Sequence, residues 1–297
     1  MLRAGDGFNF EVNFILTPLV KPQHTTHSFS LERKQIVDFL SIAKKKHTAS
    51  VMMDFNITGM RNELRKGRRI TKRHASLTGY LLYCFAQAVA SNKMVQAYRK
   101  GNKLIVFNDV DVSTMVERTV NGVAVPVSYI LRKANTKSVF EISEEIRNAT
   151  TGDSTDLIDS KEMQHKKRFI GVIKRVGFLR RWFLKRMFKD PFLKKKYNGT
   201  VGFSSMGMFS YELSGWVVPI TPQVLSAMVG GIREVPGIID GEITTCEMAC
   251  ITISMDHDIL DGAQTARFIE KFRKLLIGGI NYEGKLETNK MPQLATC

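Results

Sequence analysis

The segment from Met248 to Leu276 constrains the fold most, because its hydrophobic period changes within a few residues from two to about 3.6. A strand is predicted at Met248–Asp256, because apolar and polar side chains alternate from Ile251 to Asp256 and should face opposite sides. A turn is predicted at Asp261-Gly262, followed by an amphipathic helix over Ala263–Leu276. A strand that leads directly into such a helix requires a sheet with helices packed on it.

The rest of the chain follows the same alternation of elements. Further strands are predicted at Ser50–Thr58, Lys103–Phe107, Asp111–Val116, Val123–Tyr129 and Thr200–Ser204. Further helices are predicted at Leu31–Lys45, Met60–Lys66, the apolar segment after Ser76, and Val139–Ala149. We therefore expect an α/β protein, a mixed sheet with helices packed on it, in a single domain over 28–297 behind an N-terminal arm at 1–27. The chain lacks the Gly-rich fingerprint of a dinucleotide-binding fold.

Composition narrows the class of protein further. The chain has 297 residues with 43% hydrophobic and 24% charged, which is ordinary for a globular protein. It has neither a secretory signal nor a run of about 18 apolar residues, so we expect a cytoplasmic protein. Its cysteines are expected to be reduced thiols, and no metal site is predicted because no second Cys/His pair accompanies Cys246 and Cys250.

The net charge of +16 is concentrated in one stretch, since residues 161–200 hold fourteen Lys or Arg against two acidic residues. Apolar residues recur there at helical spacing, which predicts a basic amphipathic insertion at about 159–198. Three interpretations stay open for 161–198: an anionic membrane surface, an acidic partner such as a carrier protein or the phosphates of coenzyme A, or packing within the assembly. The membrane interpretation implies peripheral localisation, and nucleic acid is disfavoured because no binding motif accompanies the charge.

His257 is the strongest candidate for chemistry. It falls where the predicted strand Met248–Asp256 ends, a rigid position for a catalytic group, and histidine moves protons near neutral pH. A lone H-x-x-x-D pattern is common, however, and on its own favours a hydrogen-bonded surface histidine.

The surrounding motif strengthens the interpretation. DHDILDGA at 256–263 resembles the D-H-x-x-x-D-G-A signature of the 2-oxo-acid dehydrogenase acyltransferases, whose relative chloramphenicol acetyltransferase carries H-x-x-x-D-G. Three other segments resemble family motifs in the same order: LERKQIVDFL at 31–40, NGVAVPV at 121–127 and VGFSSMGMF at 201–209. The resemblance implies a chloramphenicol acetyltransferase-like fold, a homotrimer with its active site between subunits, and coenzyme A or acyl-CoA as substrate.

The resemblance also implies roles for individual residues. His257 would be the base that deprotonates the acyl acceptor, and Ser204 would donate a hydrogen bond to the oxyanion, with Ser205 as the second candidate. Asp261 would pair with Arg33 and hold the His257 loop. Gly262 would permit a close approach to the next helix or a positive φ.

Two features depart from the family. Asp258 stands where the family has Arg, so we expect it to raise the pKa of His257 and to alter what binds. Neither a lipoyl domain nor a Pro/Ala-rich linker precedes the catalytic region, so no lipoyl group is expected on this chain. We therefore expect a stand-alone acyltransferase that uses a thiol or hydroxyl acceptor. The alternatives are a dihydrolipoamide acyltransferase that serves a lipoyl domain in trans and a non-catalytic trimeric scaffold or membrane-docking protein.

Overall fold

The computed structural model describes residues 23–120, 122–152, 177–206, 214–239 and 241–278. Its main feature is a six-stranded mixed sheet with strand order β1-β8-β7-β6-β4-β5. These strands are β1 Thr48–Asn56, β4 Val112–Val120, β5 Val123–Leu131, β6 Val201–Ser205, β7 Leu225–Ile239 and β8 Glu242–Asp256. A small hairpin is formed by β2 Tyr98–Lys100 and β3 Lys103–Ile105. Only the contacts of β6 with β4 and β7 are parallel among the described strand pairs.

Helices cover this sheet. They are α1 Leu31–Ala43, α2 Thr58–Thr71, α3 Leu77–Ser91, α4 Val139–Thr151, α5 Gly177–Lys189, α6 Pro191–Asn198 and α7 Gly262–Gly278. Short 3-10 turns lie at Lys93–Gln96 and Ala134–Thr136. Serine caps two of these helices: Ser30 and Ser76 each accept a hydrogen bond from the backbone N–H three residues on. The expected α/β architecture is confirmed.

The core is organised around α3, whose residues from Gly79 to Ala86 are all buried. A helix that is apolar on every side must be covered on every side. The ring of Phe85 meets those of Phe203 on β6 and of Phe268 and Phe272 on α7, with centroids 5.5–5.9 Å apart. The helix that follows the His257 turn is thus fixed to the core through α3.

The strand β7 was missed by sequence analysis, and β8 is longer than predicted. Gly230, Gly231 and Pro236 interrupt the apolar pattern of β7. The pairing of β7 with β8 shifts register between Val229 and Ile232, so the two glycines sit at a bulge. A Cβ at Gly230 would lie 2.0 Å from the carbonyl oxygen of Gly215, which explains why a glycine is needed there.

The described part of the basic insertion forms two helices, not one. Asp190 ends α5 and caps α6, accepting hydrogen bonds from the backbone of Phe192 and Leu193, and Pro191 occupies the first position of α6. On the inner side of α5, Arg180 forms a buried ion pair with Asp38 of α1 at 2.6 Å. The remainder of the predicted insertion and most of the predicted N-terminal arm lie outside the described residues.

No helix in the described ranges combines the length and the apolar character that crossing a bilayer requires. Asn121 of the motif NGVAVPV is not described, but Gly122, between β4 and β5, has a φ of +78°, as tight hairpin turns require.

Gly79 provides a test of the packing between α3 and α4. A Cβ there would lie 2.1 Å from Ser143 Oγ and 3.0 Å from Ser143 Cβ. We predict that Gly79→Ala lowers the free energy of unfolding by about 1–3 kcal/mol, because the helices must separate. Gly67→Ala is the matched control, since a Cβ there meets nothing within 4 Å, and it should stabilise α2 by about 0.5–1 kcal/mol. Denaturant unfolding measures both, and equal effects would contradict the proposed close approach.

Candidate active site

The His257 turn joins the end of β8 to α7. The backbone N–H of His257 donates to the carbonyl of His47 at 2.8 Å, which ties the turn to the residue that precedes β1. The carbonyl of Asp256 accepts from the N–H groups of Ile259 and Leu260 at 3.1 and 3.0 Å. The His257 side chain is exposed, while the residues of β8 that lead to it are buried. The backbone is therefore fixed and the imidazole is accessible.

Asp258 was expected to act on His257, but its carboxylate contacts His47 instead. Its carboxylate Oδ1 lies 2.8 Å from Nδ1 of His47, and this hydrogen bond raises the pKa of the exposed His47 imidazole. The side chains meet because β1 and β8 are antiparallel neighbours, with Thr48 opposite Asp256. Asp258 thus links the two strand ends at the His257 turn, and the partner of its carboxylate is His47.

Asp261 acts as the cap of α7. Its Oδ1 accepts from the backbone N–H of Gln264 at 2.7 Å, and its carbonyl accepts from Thr265. The predicted ion pair with Arg33 is not formed among the described residues. Arg33 lies in the first turn of α1, about 15 Å of helix from the end that leads to His47. Asp261 therefore has a structural role as the cap of α7, and this role does not depend on Arg33.

The expectation for Gly262 was wrong. Its φ is not in the positive region, and a Cβ there would meet nothing within 4 Å. Gly262 is the first residue of α7 and faces outward. Neither of the reasons considered from the sequence requires a glycine at this position.

Ser204 and Ser205 end β6, at a level of the sheet several residues away from His257 along the strands. Ser204 pairs with Met228 of β7, and Met228 pairs with Thr252 of β8, five residues before His257. The two groups are therefore separated by about 10 Å across two strand spacings and about 16 Å along the strands. Neither hydroxyl hydrogen-bonds to another described residue, and both side chains are half-buried. Within one chain, the candidate base and the candidate donor do not meet.

A charged group beside the turn was missed by sequence analysis. Lys46, Lys194 and Asp256 line one cavity of about 180 Å³, although they are far apart in the chain. Only their tertiary arrangement reveals the group, because no local spacing connects them. A larger open pocket of about 530 Å³ lies on α4 and β5, away from His257. There the carboxylate of Glu145 accepts a hydrogen bond from Tyr129 and forms an ion pair with Lys137.

The contact between His47 and Asp258 makes a prediction about titration. We expect Asp258→Asn to lower the pKa of His47 toward its ordinary value of about 6.5, because the carboxylate that stabilises the imidazolium is removed. NMR titration of the imidazole resonances measures this shift. The resonances of His27, an exposed histidine that precedes α1, serve as the internal reference. An unchanged His47 titration would contradict the contact.

Comparisons with known proteins identify the family of this chain. The family described as 2-oxoacid dehydrogenases acyltransferase (catalytic domain) matches residues 21–173 and 194–280. The unmatched residues between these ranges fall within the predicted basic insertion. Matching curated relatives include the dihydrolipoyllysine-residue acetyltransferase component of the pyruvate dehydrogenase complex from Zymomonas mobilis, 25% identical over 77% of this chain. The succinyltransferase component of the 2-oxoglutarate dehydrogenase complex from Rickettsia typhi is 23% identical over 88%. The chain spans 43% and 60% of the length of these two relatives.

Solved structures show the same fold. A probable dihydrolipoamide acetyltransferase from Listeria monocytogenes superposes with a TM-score of 0.59 and 19% identity, covering 90% of this chain and 98% of that protein. The cubic core of a pyruvate dehydrogenase multienzyme complex also gives 0.59, with 15% identity, covering 88% and 94%. The six-stranded sheet, the motif around His257 and the match over most of the chain lead to one conclusion. The chain belongs to the 2-oxoacid dehydrogenase acyltransferase family, in the region of its catalytic domain.

Proposed function

We propose that the protein transfers an acyl group between coenzyme A and a thiol or hydroxyl acceptor, with His257 as general base. The observation that carries this proposal is the position of His257: an exposed imidazole on a turn that is fixed by buried β8, within a chain that belongs to this family. The dihydrolipoyllysine in the names of the relatives makes a dihydrolipoyl thiol the first acceptor to test.

In the proposed reaction, His257 accepts the proton of the acceptor thiol, and the sulfur attacks the carbonyl carbon of the acyl thioester. The tetrahedral intermediate collapses as its bond to the sulfur of coenzyme A breaks. The departing thiolate takes the proton back from the imidazolium. A hydroxyl of Ser204, or of Ser205, donates a hydrogen bond to the oxyanion that forms between these steps.

The distance between the ends of β6 and β8 requires a second copy of the chain in this mechanism. We propose that Ser204 of one subunit faces His257 of its neighbour in a homotrimer. Two observations support this arrangement: the serine hydroxyls bond to nothing else among the described residues, and the His257 imidazole is exposed in the isolated chain. A solved Azotobacter vinelandii dihydrolipoamide acetyltransferase was studied for the catalytic roles of a serine, a histidine and an asparagine four positions after the histidine. Asp261 has that spacing from His257.

We predict that His257→Ala lowers the turnover of acyl transfer by about 10²–10⁴-fold, because the acceptor loses its general base. Release of free coenzyme A thiol from a panel of acyl-CoAs, with dihydrolipoamide as acceptor, measures the rate. His27→Ala is the matched control, because this exposed histidine is remote from the turn. Turnover that survives His257→Ala would contradict the assignment of the base. Turnover with other thiols but not dihydrolipoamide would contradict only the assignment of the acceptor.

A second role, docking on a membrane, is favoured by the outer side of α5 and α6. Phe178, Trp182 and Phe192 have 70%, 65% and 59% of their surface exposed. Exposed basic residues surround them, namely Arg181, Lys185, Arg186 and Lys189. The opposite side of α5 is fixed to α1 by Arg180 and by the contact of Phe188 with Phe39. Large apolar side chains among cations are typical of segments that bind anionic lipid.

We predict that the protein binds vesicles of phosphatidylcholine and phosphatidylglycerol, but not of phosphatidylcholine alone, and that added salt weakens the binding. Replacing Phe178 and Trp182 together by Ser should reduce sedimentation with the vesicles about tenfold or more, because both apolar anchors are lost. Phe29→Ser is the matched control, an exposed aromatic outside α5. Equal vesicle binding by the double variant, or binding to an acidic carrier protein without vesicle binding, would contradict membrane docking.

A further inference from the structure

A cavity of about 180 Å³ lies against the His257 turn, between the end of α1, the hairpin strand β2 and helix α6. Asp256 and Ile259, which flank His257 in the chain, form one wall. Ile42, Phe188 and Pro191 provide apolar surface on the other sides. Two of these residues, Phe188 and Pro191, come from the basic insertion. The insertion therefore helps to close a cavity beside the candidate base.

The charges around this cavity do not balance. Lys46, Lys194 and Arg99 contribute three cationic groups, and Asp256 contributes one carboxylate. No ion pair within 4 Å joins any of these four residues to a charged partner among the described residues. Lys46 donates to the backbone carbonyl of Gln223, and the ammonium of Lys194 lies 3.9 Å from the centroid of the Tyr98 ring. The cavity therefore has a surplus of two positive charges when both lysines are protonated.

The partial burial of Lys46 and Lys194 disfavours their charged forms, and a bound anion would offset this cost. Burial, followed by repulsion from Lys46, lowers the pKa of Lys194 to about 7, and Asp256 opposes the shift. Burial also lowers the pKa of Lys46 and raises that of Asp256. All three shifts favour the neutral forms, as expected for partly buried charges that have no ion-pair partner within 4 Å among the described residues.

We propose that this cavity is a binding site for a phosphate group, held by Lys46, Lys194 and Arg99 beside the His257 turn. A phosphomonoester carries a charge of about −1.5 to −2 near pH 7, which matches the surplus of the cavity. Ammonium groups suit phosphate because they bind it as compact charges. The volume is below the roughly 300 Å³ of pockets that enclose a drug-sized ligand, so the site fits free phosphate or the end of a larger phosphorylated molecule.

Binding depends on pH in a direction that the surrounding groups determine. Lys194 on α6 loses its proton near pH 7, and burial also lowers the pKa of Lys46. Tyr98 on β2 stays neutral, because burial raises its pKa. Asp256 on β8 is the acidic group that lines the cavity. Its carboxylate accepts a hydrogen bond from the backbone N–H of Asp258, whose own carboxylate contacts His47. A bound dianion favours protonated Lys194, so affinity should fall as pH rises through 7.

The test is calorimetric titration of the full chain with inorganic phosphate at pH 6.5, against sodium chloride of equal ionic strength. We expect saturable binding that weakens at least tenfold in Lys194→Gln and in Lys46→Gln. Lys189→Gln is the matched control, an exposed lysine of the same insertion that should leave the affinity unchanged. A titration with glycerol phosphate distinguishes the two candidate ligands. If glycerol phosphate binds more tightly than inorganic phosphate, the ligand is a phosphomonoester; if it binds more weakly, the ligand is the free ion.

A second measurement needs no variant. Sulfate does not titrate near pH 7, so its affinity for the wild-type protein should fall about tenfold between pH 6 and pH 8 as Lys194 loses its proton. Phosphate binding that is absent, or equally strong in Lys194→Gln and Lys189→Gln, would overturn the proposal. Because binding is measured without turnover, this result is independent of whether acyl transfer is observed.

Discussion

The pairing of β8 with both β1 and β7 determines the geometry of the candidate site. β8 runs for 15 residues through the sheet, and its last residues are buried between two neighbours. At its end, the hydrogen bond from His257 to the carbonyl of His47 and the bonds accepted by Asp256 fix the turn. The helix that follows is capped by Asp261 and packed through Phe268 and Phe272 on α3. The imidazole is thus presented on a turn whose backbone has little freedom to move.

The same sheet separates the candidate base from the candidate oxyanion donor. β6 and β8 are separated by β7, and Ser205 at the end of β6 is level with Ile251, well before β8 ends at Asp256. In the proposed mechanism, one chain alone therefore cannot bring the two groups together. In the proposed trimer, each interface between subunits would complete one site from two chains. The basic insertion adds a feature to this arrangement, because α6 places a cationic group next to the turn and α5 presents aromatic side chains outward.

The sequence predicted the parts of the fold that depend on local pattern. The helices that begin after Ser30 and Ser76 and the strand that ends at Asp256 depend on local signals, and each was confirmed. The alternation within that strand did not predict burial, since Thr252 and Ser254 are as buried as the apolar residues beside them. It did not predict β7, since Gly230 and Gly231 are required by a bulge and a close approach to Gly215 that only the sheet reveals. For the site, the position of His257 followed from the motif. The partners of Asp258 and Asp261 did not, because His47 lies 211 residues from Asp258.

The measurement that tests the account most directly is complementation in mixed oligomers of His257→Ala and Ser204→Ala chains. The two chains are co-expressed with different affinity tags, and hybrids are isolated by both tags in turn. Each parent oligomer should be nearly inactive, whereas a hybrid trimer should recover about one third of wild-type turnover, since one interface in three pairs an intact His257 with an intact Ser204. Hybrids that remain as inactive as both parents, while keeping their oligomeric state, would contradict an active site shared between subunits.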